Sequence, residues 1–142
     1  MGYQYPEKVE QGIKILQRAK ELNPKSIATL QLLGIQYSEA KRWEEARESF
    51  LNGLKIDPED YQLNKCLINT LIELKTPIET ILPYIKIALR NTHKQRINFP
   101  RWGRFIKWKN FDGQEFHKKC EEIDREWIDW AKSILSQYEK GN

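Results

Sequence analysis

A stretch running Leu30-x2-Leu33-Gly34-x2-Tyr37, then Ala46-x3-Phe50 and Pro58, constrains this chain more than any other feature. Apolar residues recurring at intervals of three and four mark helices, each with one face turned inward. Gly34 has no side chain where two antiparallel helices must approach closely, while Tyr37 and Phe50 fill the space beside it. Ala46 is small for the same reason, and Pro58 stops the second helix before the next begins. The pattern also recurs. Stepping back 34 residues from Ala46, Phe50, Gly53 and Pro58 lands on Gly12, Leu16, Ala19 and Pro24, and Asn23-Pro24-Lys25 mirrors Asp57-Pro58-Glu59. Stepping forward agrees less well: Leu33 maps to Leu67, Tyr37 to Leu71 and Phe50 to Tyr84, but Gly34 maps to Ile68 and Pro58 to Thr92.

In order and spacing these residues resemble the tetratricopeptide-repeat pattern Trp-x2-Leu-Gly-x2-Tyr, Ala-x3-Phe, Pro. Leu30 stands in the slot where that family usually has Trp. The resemblance covers roughly residues 6 to 92: the second helix of one repeat, a good repeat at 27–60, and a degenerate repeat after it. It implies an all-α fold, a short helix-turn-helix superhelix, whose first helices line a concave face that contacts a peptide. Carried onto this chain, the groove positions are Gln31, Ile35, Ser38 and Glu39 in the good repeat and Lys65, Asn69 and Ile72 in the next. Ala28 in the good repeat and Gln62 and Glu73 in the next are groove positions too. Lys65 and Asn69 lie one turn apart, like the first pair of the carboxylate clamp of chaperone-binding members. The clamp's remaining residues come from later repeats, which this chain lacks. The resemblance makes Lys65 and Asn69 solvent-facing anchors for a partner. A chain opening on a second helix fits either a piece of a longer repeat array or an unpaired N-terminal cap.

Hydrophobic residues make up 39% of the chain and charged residues 31%, the balance of a helix-rich chain that folds rather than a disordered one. At 142 residues it is one domain by length. No apolar run is long enough to span a bilayer and no basic-then-apolar leader opens the chain, which fits a cytoplasmic setting. Cys66 and Cys120 both fall on apolar helical stripes, so buried free thiols are expected rather than a disulfide.

The organisation reads as helical repeats over 1–93, a basic and aromatic connector over 94–113, and a capping helix over 114–142. Expected helices run from Pro6 to Leu22, from Ser26 (an N-cap) through Tyr37, from Trp43 to Ile56, and from near Glu59 through Leu74. A fifth opens on Thr76-Pro77-Ile78-Glu79, which reads as a capping box, and Pro83 predicts a kink or a broken first turn. The last, capped by Asp112, carries Phe116, Cys120, Ile123, Trp127, Trp130 and Ile134 as an apolar stripe. Stacked repeats expose a hydrophobic face at each end, and this Trp-rich helix is expected to close one of them. Asp124 falls on its charged side and reads as solvated.

The net charge of +4 is concentrated. Lys94, Arg96, Arg101, Arg104, Lys107 and Lys109 sit together without an acid, interleaved with Phe99, Trp102, Phe105, Trp108 and Phe111. Three readings compete for this segment. The aromatics bury against the stack under Arg and Lys stems; or Arg96, Arg101, Arg104, Lys107 and Lys109 neutralise phosphates while Trp102 and Trp108 stack on bases; or the segment touches anionic lipid. Catalysis finds no arrangement. His117 and Cys120 are three apart but have no further ligands spaced to complete a metal site, and no glycine-rich phosphate loop precedes a helix. The expected function is non-enzymatic protein binding, as adaptor, scaffold or assembly factor, without a cofactor. Polyanion binding is the alternative, and the oligomeric state stays open.

Overall fold

The 34-residue period survives in the helix limits even where the side chains depart from it. The computed structural model describes residues 6–92, 122 and 124–139. Within them lie six helices: α1 (Pro6–Leu22), α2 (Ile27–Glu39), α3 (Trp43–Ile56), α4 (Tyr61–Glu73), α5 (Ile78–Arg90) and α6 (Arg125–Glu139). Both ends of α2 recur in α4, and α1, α3 and α5 end at Leu22, Ile56 and Arg90, each one period apart. The connector at 94–113 and the first part of the expected capping helix lie outside the described residues.

Starts and stops repeat with the helices. Ser26 Oγ accepts the Thr29 amide at 3.2 Å, and Asp60 Oδ1 accepts the Leu63 amide at 2.9 Å, so both caps satisfy a first-turn donor. The fourth helix therefore starts after Asp60, not at Glu59. At the other ends, Lys41 and Lys75 take left-handed φ angles of 59° and 56°. The Arg42 and Thr76 amides then return to Tyr37 O and Leu71 O at 2.8 and 3.0 Å, a Schellman closure in each repeat. This engages Thr76 in ending α4, and the expected capping box does not form: Pro77 occupies the N-cap position of α5 with no side-chain cap bond. Nor does Pro83 break the helix, which runs unbroken from Ile78 to Arg90. Pro83 is on the exposed side, where the Glu79 carbonyl that its missing amide leaves open is not sealed in the core.

Close approach of α2 and α3 organises the core. A Cβ added at Gly34 would lie 2.6 Å from Phe50 Cζ and 2.8 Å from Phe50 Cδ1, closer than real atoms come. The Phe50 ring lies where a side chain at 34 would be, and only 1% of the residue is exposed. Ala46, Leu33 and Tyr37 are buried around it. One period on, Ile68 is wholly buried in the glycine slot. The ring one period after Phe50, Tyr84, is only half-buried and lies at a cleft on the outer side. An isoleucine and a ring cannot share the volume that glycine leaves to Phe50.

Consecutive helices pack in order, and α2 also touches α4 directly. α1 is tied on by Gln17 Nε2, which donates to Tyr37 Oη at 2.9 Å, and by Glu10, which accepts from Arg42 at 3.0 Å. Arg42 also makes a two-pronged pair with Glu45, at 2.6 and 2.7 Å, which holds the Glu45 carboxyl below its ordinary range. On the outer layer, clefts separate α1 from α3 and α3 from α5. Inner helices that touch beside outer helices that part make the inner surface concave.

α6 packs against α5 and reaches α4 through its side chains. It starts beside the first turns of α4, where Asp124 meets Tyr61 and Lys65. It ends beside α5, where Lys86 Nζ reaches Glu139 at 3.1 Å. Its buried residues are Ile128 and Ala131, with Trp127, Trp130 and Ile134 packed at their flanks. The expected cap thus covers the end of the stack, centred on a small residue that admits close packing.

Replacing Gly34 with Ala should destabilise the fold by about 2 kcal/mol, because the overpacking against Phe50 outweighs the gain in helix propensity. Urea titration measures this. Adding Phe50→Leu should recover part of the loss, whereas at an uncrowded site the two changes would simply add.

Candidate functional site

Between the C-terminal halves of α2 and α4 the concave face holds a groove of about 320 Å³. Ile35, Ser38 and Glu39 line it from α2, and Cys66, Asn69 and Glu73 from α4. The positions are those a 3.6-residue period turns to one side, so each helix contributes residues three and four apart. Trp43 and Phe50 of α3 close its floor. Of the expected partner-binding residues, Ile35, Ser38, Glu39 and Asn69 come together here. Gln31 is half-buried higher on α2, and Ile72 is 42% exposed but outside the groove.

The polar groups differ in what they have left to offer. Ser38 Oγ donates to Gly34 O at 2.9 Å, a bond within its own helix. Asn69 Oδ1 accepts from Trp127 Nε1 at 3.1 Å, and its Nδ2 makes no hydrogen bond among the described residues. Glu39 and Glu73 are exposed, and neither makes an ion pair among the described residues. Burial pushes the Cys66 thiol up to about 11, so at neutral pH it is a small apolar wall rather than a nucleophile. The groove is therefore acidic at its rim and apolar below.

Lys65 behaves differently from the solvent-facing anchor its position suggests. Its Nζ donates to Asp124 Oδ1 at 2.8 Å, while Tyr61 Oη donates to the other carboxylate oxygen. Lys65 Nζ also lies 5.7 Å from the centre of the Trp127 ring, and Tyr61 meets that ring edge-on at 5.9 Å. Thus the side chains at the Lys65 end of the face hold the chain's own α6. Asp124 is half-buried, not solvated, because its carboxylate finds two donors on α4. A favoured N-cap residue just ahead of a Trp-rich helix was the visible signal, but sequence alone does not place it opposite Lys65. Cys66 and Trp43 were also missed as groove residues. Their apolar character points to core, and core is what they border.

The expected polyanion patch, Arg96, Arg101, Trp102, Arg104, Lys107, Trp108 and Lys109, lies outside the described residues, as do His117 and Cys120. No group of histidine, cysteine and acidic residues among the described residues could hold a metal ion. No helix there is long and apolar enough to cross a membrane.

Replacing Asp124 with Ala should remove two charge-assisted bonds and cost about 2 kcal/mol. Amide exchange should rise across α6 while α2 and α3 stay protected. In a Cys120→Ser background, Cys66 should react with a thiol reagent at pH 8 on the order of a hundredfold more slowly than an unfolded control, following its thiolate fraction.

Neither protein-family models nor curated proteins include a match to this chain.

Proposed function

We propose that this chain is a tetratricopeptide-repeat-like binding module, a non-enzymatic adaptor or scaffold that holds a partner segment on its concave face. One observation carries the reading: the groove between α2 and α4 stays open while the neighbouring Lys65 end is filled by α6. A fold that merely packed its helices would have no reason to leave Ile35 beside two unpaired carboxylates. The Lys-and-Asn pair that resembles the start of a carboxylate clamp is engaged internally, so a peptide carboxylate is a poor match for this surface. Glu39 and Glu73 instead favour a segment that brings a lysine or arginine, with an aliphatic residue to set against Ile35.

The test uses a photo-crosslinking residue placed at Glu39, with the same residue at exposed Lys14 as control. A partner captured from position 39 and not from 14 is purified, and its affinity for the Ile35→Arg, Glu39→Lys chain is measured. A loss of tenfold or more is expected, corresponding to about 1.4 kcal/mol. Unchanged affinity in the double variant would put the partner elsewhere.

A further inference from the structure

A cleft of about 660 Å³ lies on the opposite, outer side, between α3 and α5. That is within the usual range for a ligand site. Leu51 and Leu54 of α3 face Tyr84 and Ile87 of α5 across an apolar floor. Ile68 fills the slot that a ring would have taken, and Tyr84 borders the opening. Among the described residues the Tyr84 hydroxyl makes no hydrogen bond.

A second, independent observation concerns Asn64, which also borders this cleft and is 0% exposed. Its Nδ2 donates to Pro58 O at 3.0 Å and to Asp60 O at 2.8 Å, which fixes the orientation of the amide. Its Oδ1 accepts nothing. A buried carbonyl oxygen without a donor is costly, and native structures keep few of them. Oδ1 itself is covered, so a donor from the cleft, which Asn64 borders, reaches it only when the side chains over it move aside.

Charge sets the direction of what would lie in it. Along α3 the rim begins with Glu44, Glu45 and Glu48 and ends with Lys55, a run of about 16 Å. Glu44 and Glu45 pair with Arg47 and Arg42. Glu48 and Lys55, two turns apart on one face, pair with nothing among the described residues. A helix is the element that fits a groove between two helices, and it satisfies its own backbone while doing so. Its charges complement the rim when a lysine or arginine stands near its C-terminus and an acid near its N-terminus, the distribution its own dipole favours.

We propose that the α3–α5 cleft is a binding site for an amphipathic helix of a partner protein, lying antiparallel to α3 and inserting a tryptophan whose indole N–H bonds to Asn64 Oδ1. The site is on the face opposite the concave groove and does not depend on the function assigned to that groove.

The probe is a fluorescein-labelled helical peptide with glutamates in its first turn, a Leu-Leu-Trp stripe at helical spacing, and arginines in its last turn. Fluorescence anisotropy reports affinity, and nitrogen-15 NMR reports the Asn64 side-chain amide. Binding is expected to weaken at least tenfold with Glu48→Lys and at least tenfold for the peptide with its charges exchanged end to end. A Trp-to-Phe peptide should bind several-fold more weakly and leave the Asn64 amide signal unmoved, whereas the Trp peptide shifts it. Ile35→Arg, on the other face, should change nothing. The proposal is overturned if the Trp peptide does not bind, if Glu48→Lys leaves its affinity intact, or if Ile35→Arg abolishes binding. It also fails if the Asn64 signal stays put on saturation, which would leave that oxygen to a water molecule.

Discussion

The contact of the Phe50 ring with the bare backbone at Gly34 is the constraint on which the rest of the stack depends. It sets how near α3 comes to α2, and the Schellman turn at Lys41 only delivers the chain to that distance. With the spacing set, Ala46 and Leu33 are sealed, α1 docks through Gln17 and Arg42, and α4 can lie against both earlier helices. The second hairpin keeps the same backbone limits with a different filling. Ile68 supplies from α4 the volume that Phe50 supplies from α3, and Tyr84 is left at the surface. The period therefore belongs to the backbone and its caps, while packing is solved separately in each repeat.

The second organising contact is polar. Asp124 receives Lys65 and Tyr61, and Trp127 leans on Tyr61, Lys65 and Asn69 along α4. A carboxylate half-removed from water is tolerated because both its oxygens are bonded and one faces a cation. This fastens α6 against α4 and divides the concave face. One end is closed by the chain itself; the other keeps Ile35, Glu39 and Glu73 open. Two surfaces result, a groove inside and a cleft outside, each with acidic residues at its rim and apolar residues below.

Much of the fold was legible in the residues. Gly34, Ala46 and Phe50 announced a close helix pair, and Ser26 announced a start. The period placed α1 to α5 within a residue or two. Legibility failed at Thr76 and Pro83 for related reasons. Thr76 has two competing uses, and the closure of α4 wins because its amide is already bonded to Leu71 O. Pro83 disturbs only an exposed carbonyl, so the helix continues. The groove was half legible: Ile35, Ser38, Glu39 and Asn69 meet in it, as their helical spacing requires.

Local chemistry alone determined the helices, their 34-residue beat and which side of each is apolar, because these follow from side-chain spacing and cap residues within a few positions. Only the tertiary structure decided that Lys65 would serve α6, that Tyr84 would border an outer cleft and that Asn64 Oδ1 would be left without a donor. Those outcomes depend on which groups meet across long separations, 59 residues for Lys65 and Asp124. No periodicity records such a meeting. It is settled by the volume and the hydrogen-bond donors left over once the helices have packed.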